Sequence, residues 1–273
     1  MENLTFEKPT FIQRIKGMLG VDFYRLFHTP LFYIFLGISA IIPAMLIAMT
    51  GMPSPDGTAS TPLFTNVWQA IAPSYPVYGF EGIEKYANMN MVFIFGGIMV
   101  SIFIGHDYKS GYVKQLFTTH AKKEDYMISK SVVCAFAMAC MCFSYLFGAI
   151  IAGALTKTSF SVSIGNLLCA ILGKVIMSAG WASLYTFLNV VFRRYFGVSI
   201  ASSFFFGTGI LVIGVGSILK GSPILNVFLY GSSVYACLSS NILSVLVCLV
   251  VSGAWAVIYN IIGSHVLNKS DVY

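Results

Sequence analysis

Residues 105–130, from Gly105 to Lys130, read GHDYKSGYVKQLFTTHAKKEDYMISK. This is the longest charged stretch in an otherwise apolar chain. It holds five of the sixteen basic residues (Lys109, Lys114, Lys122, Lys123, Lys130) and three of the ten acidic ones (Asp107, Glu124, Asp125). Apolar runs long enough to cross a bilayer flank it on both sides. Tyr108, Tyr112 and Leu116 recur every fourth residue, with Val113 and Phe117 beside them. On a helix that spacing makes one apolar face, with Lys109 and Lys114 off it. Such a face must be covered, either by the membrane surface, as in an interfacial loop, or by a partner protein.

The chain is 57% hydrophobic and 10% charged, with a mean hydropathy of +0.82. An ordinary soluble domain carries about 25% charged residues, so an all-α integral membrane protein is expected. Its 273 residues accommodate about six spans of ~20 residues in a single domain, 1–273, without room for a folded ATPase. Of the six cysteines, Cys134, Cys140, Cys142, Cys169 and Cys248 lie within apolar runs and Cys237 near the start of the last. No CxxC pair occurs, which points to packing rather than to metal or disulfides. No cleavable signal peptide is expected.

The apolar runs place the six spans at 31–49, 91–104, 126–155, 164–192, 196–219 and 242–266. Span three is too long for one straight crossing, so one of its ends should project or tilt. Ahead of span one, residues 11–27 pattern as an amphipathic helix with Phe11, Ile15, Leu19, Phe23 and Leu26 on one side and Arg14, Asp22 and Arg25 on the other. Such a helix is expected to lie in the interface, its basic residues toward headgroups. Residues 51–90 form an external loop with five prolines and the aromatics Trp68, Tyr75, Tyr78 and Phe80. Residues 224–238, after a break at 220–223, are too irregular for a span and too apolar for a free loop.

Lysine and arginine placement sets the orientation. Lys8, Arg14, Lys16, Arg25, the five of the central stretch, Arg193, Arg194 and Lys269 fall on one side, and only Lys85, Lys157 and Lys220 on the other. Both termini are therefore expected in the cytoplasm. Lys174 remains, inside span four. It precedes Arg193 by nineteen residues, about 28 Å of helix, which puts it near the outer interface, where it is expected to snorkel.

No GxxxxGK[ST], HExxH, GxSxG or paired-carboxylate constellation is present, so no catalytic or metal residue is assigned. Gly207, Gly209, Gly214 and Gly216 fit close packing of span five better than phosphate binding. Nothing calls for nucleic acid.

The 105–130 stretch resembles the signature of type-2 permeases of ATP-binding-cassette (ABC) exporters. In that family an acidic residue ends span two and is followed by a glycine, a leucine-bearing helix, a basic cluster and a lysine opening span three. Here those positions fall on Asp107, Gly111, Leu116, Lys122–Lys123 and Lys130. The family often has Glu at the first position, Thr at Tyr112 and a Pro-x-x-Arg element at the lysine pair.

The resemblance implies a permease dimer, of two copies or of related chains, in the plasma membrane and surrounded by lipid. It is driven by a separate cytoplasmic ATPase that holds ATP and Mg. It implies a coupling segment at 105–125 built on Asp107, Tyr108, Gly111, Tyr112, Leu116, Phe117, Lys122 and Lys123, and a connecting helix with Arg14, Phe23 and Arg25. It further implies a re-entrant segment at 220–238 and a substrate path along spans two and five, at Phe93, Phe95, Phe103, Phe204, Phe205 and Phe206. The cargo would be amphipathic: a peptide such as a bacteriocin or toxin, a drug, or a lipid. The competing expectation is a non-ABC carrier or a structural component of a membrane assembly. Within the coupling reading, Asp107 should be paired with a basic residue of the 109–123 stretch, Arg14 or Arg25, and Asp107→Asn should spare folding.

Overall fold

The computed structural model describes residues 10–49, 66–72, 88–118, 121–219, 222–239 and 241–269. Among these residues every regular element is helical, and six helical stretches, one of them interrupted, are long and apolar enough to cross a membrane. The chain is a multi-pass, all-α membrane protein. Most of the 51–90 loop, including Tyr75, Tyr78 and Phe80, lies outside the described residues, as do Lys8, Lys85, Lys220 and the last four residues.

Helix α1, Phe11–His28, starts at a capping box in which Gln13 N donates to Thr10 Oγ1 and Thr10 N donates to Gln13 Oε1. Thr29 interrupts it, and α2, Pro30–Met49, begins with a proline at the position where no amide is needed. The two helices run along α6, Lys123–Thr156, at an almost constant offset. Asp22 meets Lys130, Ser144 bonds to Leu36 O, and the α-carbon face of Gly148 rests on Ala40. Helix α1 therefore follows the first turns of α6 instead of lying flat across its end.

With 34 residues, α6 is about 51 Å long, well beyond the ~30 Å of a hydrocarbon core. Its N-terminal turns, with α1 beside them, account for the excess length. Between these partners α3, Val67–Ile71, packs under α6, and α4, Met91–Lys109, runs antiparallel to it. Helix α4 ends at Ser110-Gly111, where Gly111 takes a left-handed φ of +76°. A short helix α5, Tyr112–Thr118, then leaves in a new direction. The expected single helical face through Tyr108, Tyr112 and Leu116 is thus split: Tyr108 belongs to α4 and the other two to α5.

Helix α7, Ile164–Val191, is the central post, packing against α4, α6, α10 and α11. The span expected at 196–219 is not one helix. It divides into α8, Phe196–Gly207, and α9, Ile210–Leu219, at Thr208-Gly209. Gly209 has φ +67°, and a β-carbon there would lie 2.1 Å from the Tyr230 ring. The backbone turn and the close approach of Tyr230 both require glycine.

After α9 a 3₁₀ turn, Pro223–Val227, leads into α10, Leu229–Ser239, and then into α11, Ile242–Lys269. Leu229 packs at Gly180, midway along α7, whereas Cys237 reaches Ile71 O near the end of the bundle. The segment between α9 and α11 therefore dips into the bundle and returns, which is a re-entrant structure.

Candidate functional site

Two acids and two bases meet at the end of the bundle that carries α1, α5 and most of the cations. Lys130 Nζ lies 2.7 Å from Asp22 Oδ1 and 2.6 Å from Asp107 Oδ2. Arg25 donates from Nη2 to Asp107 Oδ1, and its Nη1 is 4.0 Å from Asp22 Oδ1. Ser129 donates to the second oxygen of Asp22 at 2.6 Å. Asp22, Asp107 and Lys130 are fully buried. The group is neutral as a whole, and each carboxylate touches cations from two helices. Removing one member of such a buried network leaves an uncompensated charge, which costs about 3–5 kcal/mol.

The network is roofed by aromatic rings. The Arg25 guanidinium lies 4.1 Å from the Tyr112 ring, and Lys130 Nζ lies 4.8 Å from that of Phe103. Burial alone would lower the Arg25 pKa, but the hydrogen bond and charge of Asp107 outweigh it and raise it. The Tyr112 phenol is pushed up by burial, reinforced by the carboxylate of Asp22. A second ion pair, Arg14 Nε to Asp125 Oδ2 at 2.7 Å, ties the start of α1 to the start of α6. Four polar links thus join α1 to α4 and α6, with Tyr112 adding α5.

The expected pairing of Asp107 is therefore with Arg25 and Lys130, while Arg14 reaches Asp125 instead. The expected connecting helix does not turn its charged side to headgroups: Asp22 and Arg25 face into the bundle together with Leu26, with Leu19 and Phe23 packed against it. Phe11, Ile12, Val21, Tyr24 and Phe27 are exposed. Phe23 sits at the edge, 5.2 Å and edge-on from the Phe136 ring.

The remaining residues of the expected coupling segment pack mainly on their own chain. Val113 is buried with Tyr126, Met127, Val190 and Leu267, and Leu116, Phe117 and Tyr108 lean on this cluster. The apolar face of α5 thus packs on the ends of α6, α7 and α11, fully at Val113 and in part at Leu116 and Phe117. Lys123 donates to Leu267 O at 2.9 Å and lies 5.9 Å from the Phe117 ring. Lys122 is exposed, as are Lys114, Gln115 and Thr118.

Of the residues proposed to line a path, Phe93 and Phe103 are sealed in the interior. Phe93 stacks on Trp181 at 5.5 Å, and Phe95 is half-buried. Phe204, Phe205 and Phe206 are exposed. Phe205 and Phe206 border a 240 Å³ cavity below the break in span five, with Trp181, Tyr230, Trp255 and Tyr259 on the other walls.

Lys174 does not snorkel. It is fully buried, donating to Asn90 Oδ1 and, at 2.7 Å, to Ser233 O of the re-entrant helix, with the Phe93 ring at 5.6 Å. A further buried polar group joins Asn189, Ser101, Ser199 and Ser203, with Ser101 donating to Ser203 at 2.8 Å and Asn189 to Ser101 at 3.1 Å. It ties α4 and α7 to α8.

Asp22 had no assigned role in the sequence-based site, yet it is central. The available signal was its place as the acidic residue of the connecting helix, three residues before Arg25. Compared with known protein families and with characterised proteins, the chain matches none.

Proposed function

We propose that this chain is the permease subunit of an ABC exporter, driven by a separate ATPase subunit that carries the ATP and Mg. It would pair with a second copy or a related permease, with both termini in the cytoplasm of a plasma-membrane assembly. The observation that carries this reading is the buried bridge from Asp107 to both Arg25 and Lys130. It fastens the connecting helix and the first turns of span three to the elbow at Gly111, so a push on α5 would be passed to three helices at once. The clustering of Lys and Arg at that end supports its cytoplasmic placement.

The packing changes where the ATPase would bind. With the apolar side of α5 turned into the chain, its exposed side, Lys114, Gln115 and Thr118, is the surface available for docking. The aromatic cavity of 240 Å³ beside the break in span five suits an amphipathic cargo with an apolar or aromatic part.

The test is affinity purification of the full chain from its native membrane. An ABC ATPase and vanadate-sensitive ATP hydrolysis should co-purify, and a photo-crosslinker at position 114 or 115 should capture that ATPase. Purification of an intact chain that brings neither ATPase nor ATP hydrolysis would overturn the proposal.

A further inference from the structure

Beside the ion network, on the other side of α4, lies a 290 Å³ pocket between the ends of α4, α7 and α8. Its mouth carries three cations: Lys109 from α4, and Arg193 with Arg194 from the turn after α7. Asn189 and Ser199, both buried, line its polar floor, and Phe196 forms a wall. No acidic side chain lines it among the described residues. The nearest carboxylate along α4, Asp107, is committed to Lys130 and Arg25 on the opposite side.

The start of α8 adds to this positive field. Tyr195 stands at its N-cap without a side-chain capping bond, and the first turn closes with Ser199 N on Tyr195 O. The amides of Phe196, Gly197 and Val198 therefore have no acceptor within the helix, and the helix dipole is positive there. Three cations and a helix N-terminus together make a seat for a tetrahedral anion.

The surroundings identify what bears that anion. The pocket opens at the base of α8, which continues as an exposed apolar surface through Phe196, Val198, Phe204 and Phe205. This helix belongs to a span of which only 28% is buried within the chain. A charged headgroup in the pocket would leave its chains lying along that surface. We propose that the pocket binds the phosphate of an anionic phospholipid from the leaflet at the basic end, with its acyl chains along α8. Basic pockets between transmembrane helices are suited to such headgroups. This assignment depends on membrane residence alone and is independent of export.

The experiment is native mass spectrometry of the full-length chain in detergent, titrated with phosphatidylglycerol or with phosphatidylcholine of the same acyl chains. The parent should retain phosphatidylglycerol in preference to phosphatidylcholine. The double variant Arg193→Gln/Arg194→Gln should bind phosphatidylglycerol roughly thirtyfold more weakly, from about 1 kcal/mol per cation near a membrane surface. Arg193→Lys/Arg194→Lys should stay within a few-fold of the parent, and Lys16→Gln, an exposed cation on α1, should change nothing. If the double Gln variant does not fold, Lys109→Gln should still weaken binding about fivefold. Equal retention of the two lipids, or undiminished retention by the variants that lose pocket cations, would overturn the proposal. So would displacement by glycerol phosphate at matched concentration, since the site would then read a soluble phosphate and not a lipid.

Discussion

Asp107→Asn removes one of four charges from a sealed network and leaves it with a net charge of +1. The lost carboxylate touches Lys130 at 2.6 Å and Arg25 directly. Asp22 still holds Lys130 at 2.7 Å but is 4.0 Å from Arg25, so the arginine loses its close partner. The loss should fall at the lower end of the range for breaking buried pairs, about 3 kcal/mol. At about 2–4 °C per kcal/mol for a chain of this length, the melting midpoint should drop by roughly 6–12 °C. The expectation from sequence, that this change would spare folding, is therefore reversed. The assay is thermal unfolding of the purified chain in a fixed lipid nanodisc, beside Lys130→Met and the double variant. Asp107→Asn/Lys130→Met restores neutrality, with Asp22 facing Arg25, so it should recover at least ~1 kcal/mol relative to the sum of the singles. A fall of under 2 °C for Asp107→Asn, or strict additivity in the double variant, would refute the reasoning.

Other changes separate the two faces of α5. Leu116→Asp places a charge against the chain's own packed end and should lower the melting midpoint, at a cost of about 2 kcal/mol. Lys114→Glu lies on the exposed face and should leave the midpoint unchanged while abolishing ATPase co-purification. Gly209→Ala forces a left-handed φ on alanine and drives its methyl into the Tyr230 ring, so it should cost about 2 kcal/mol or more by thermal unfolding. Adding Tyr230→Ala should return the part due to the clash.

The Tyr112 phenol, raised by burial, should ionise only above its ordinary value of 10.0. A raised pKa means its contribution to stability is complete below pH 10 and is lost as pH climbs through the folded value. Absorbance titration at alkaline pH, parent against Tyr112→Phe, reads this directly.

The spans were legible because crossing a bilayer demands long apolar runs, and those runs are printed in the sequence. Their partners were not, for a reason specific to membranes. In α1 the inward side mixes the two classes: Leu26, Leu19 and Phe23 turn in beside Asp22 and Arg25, while Phe11, Ile12 and Tyr24 face out, as apolar side chains can beside lipid. Periodicity separates apolar from charged positions, but the buried side of this helix cuts across that division. The division of span five was hidden for a different reason. Hydropathy sums side chains, and Gly207-Thr208-Gly209 barely lowers the sum, whereas the break is a matter of backbone angle at Gly209. For Lys174, spacing along α7 supplied an axial position, but its partners come from Asn90 and Ser233, distant in the chain. The Asp107 environment was half legible: burial at the end of a span demands a counter-ion, but choosing among the nearby cations required the path of α1.

The wiring of α1 also fixes an order in which the chain can close on itself. The links from α1 to the rest of the bundle connect residues 82, 108 and 111 positions apart. While a nascent chain is being inserted, Asp22 has only Arg25 of its own helix for company until Lys130 has left the ribosome. A chain stalled before that point holds two carboxylates of the network, Asp22 and Asp107, against the single cation Arg25. Chains truncated at residue 125 should accordingly be degraded much faster than chains truncated at 160, and Asp22→Asn should narrow that difference.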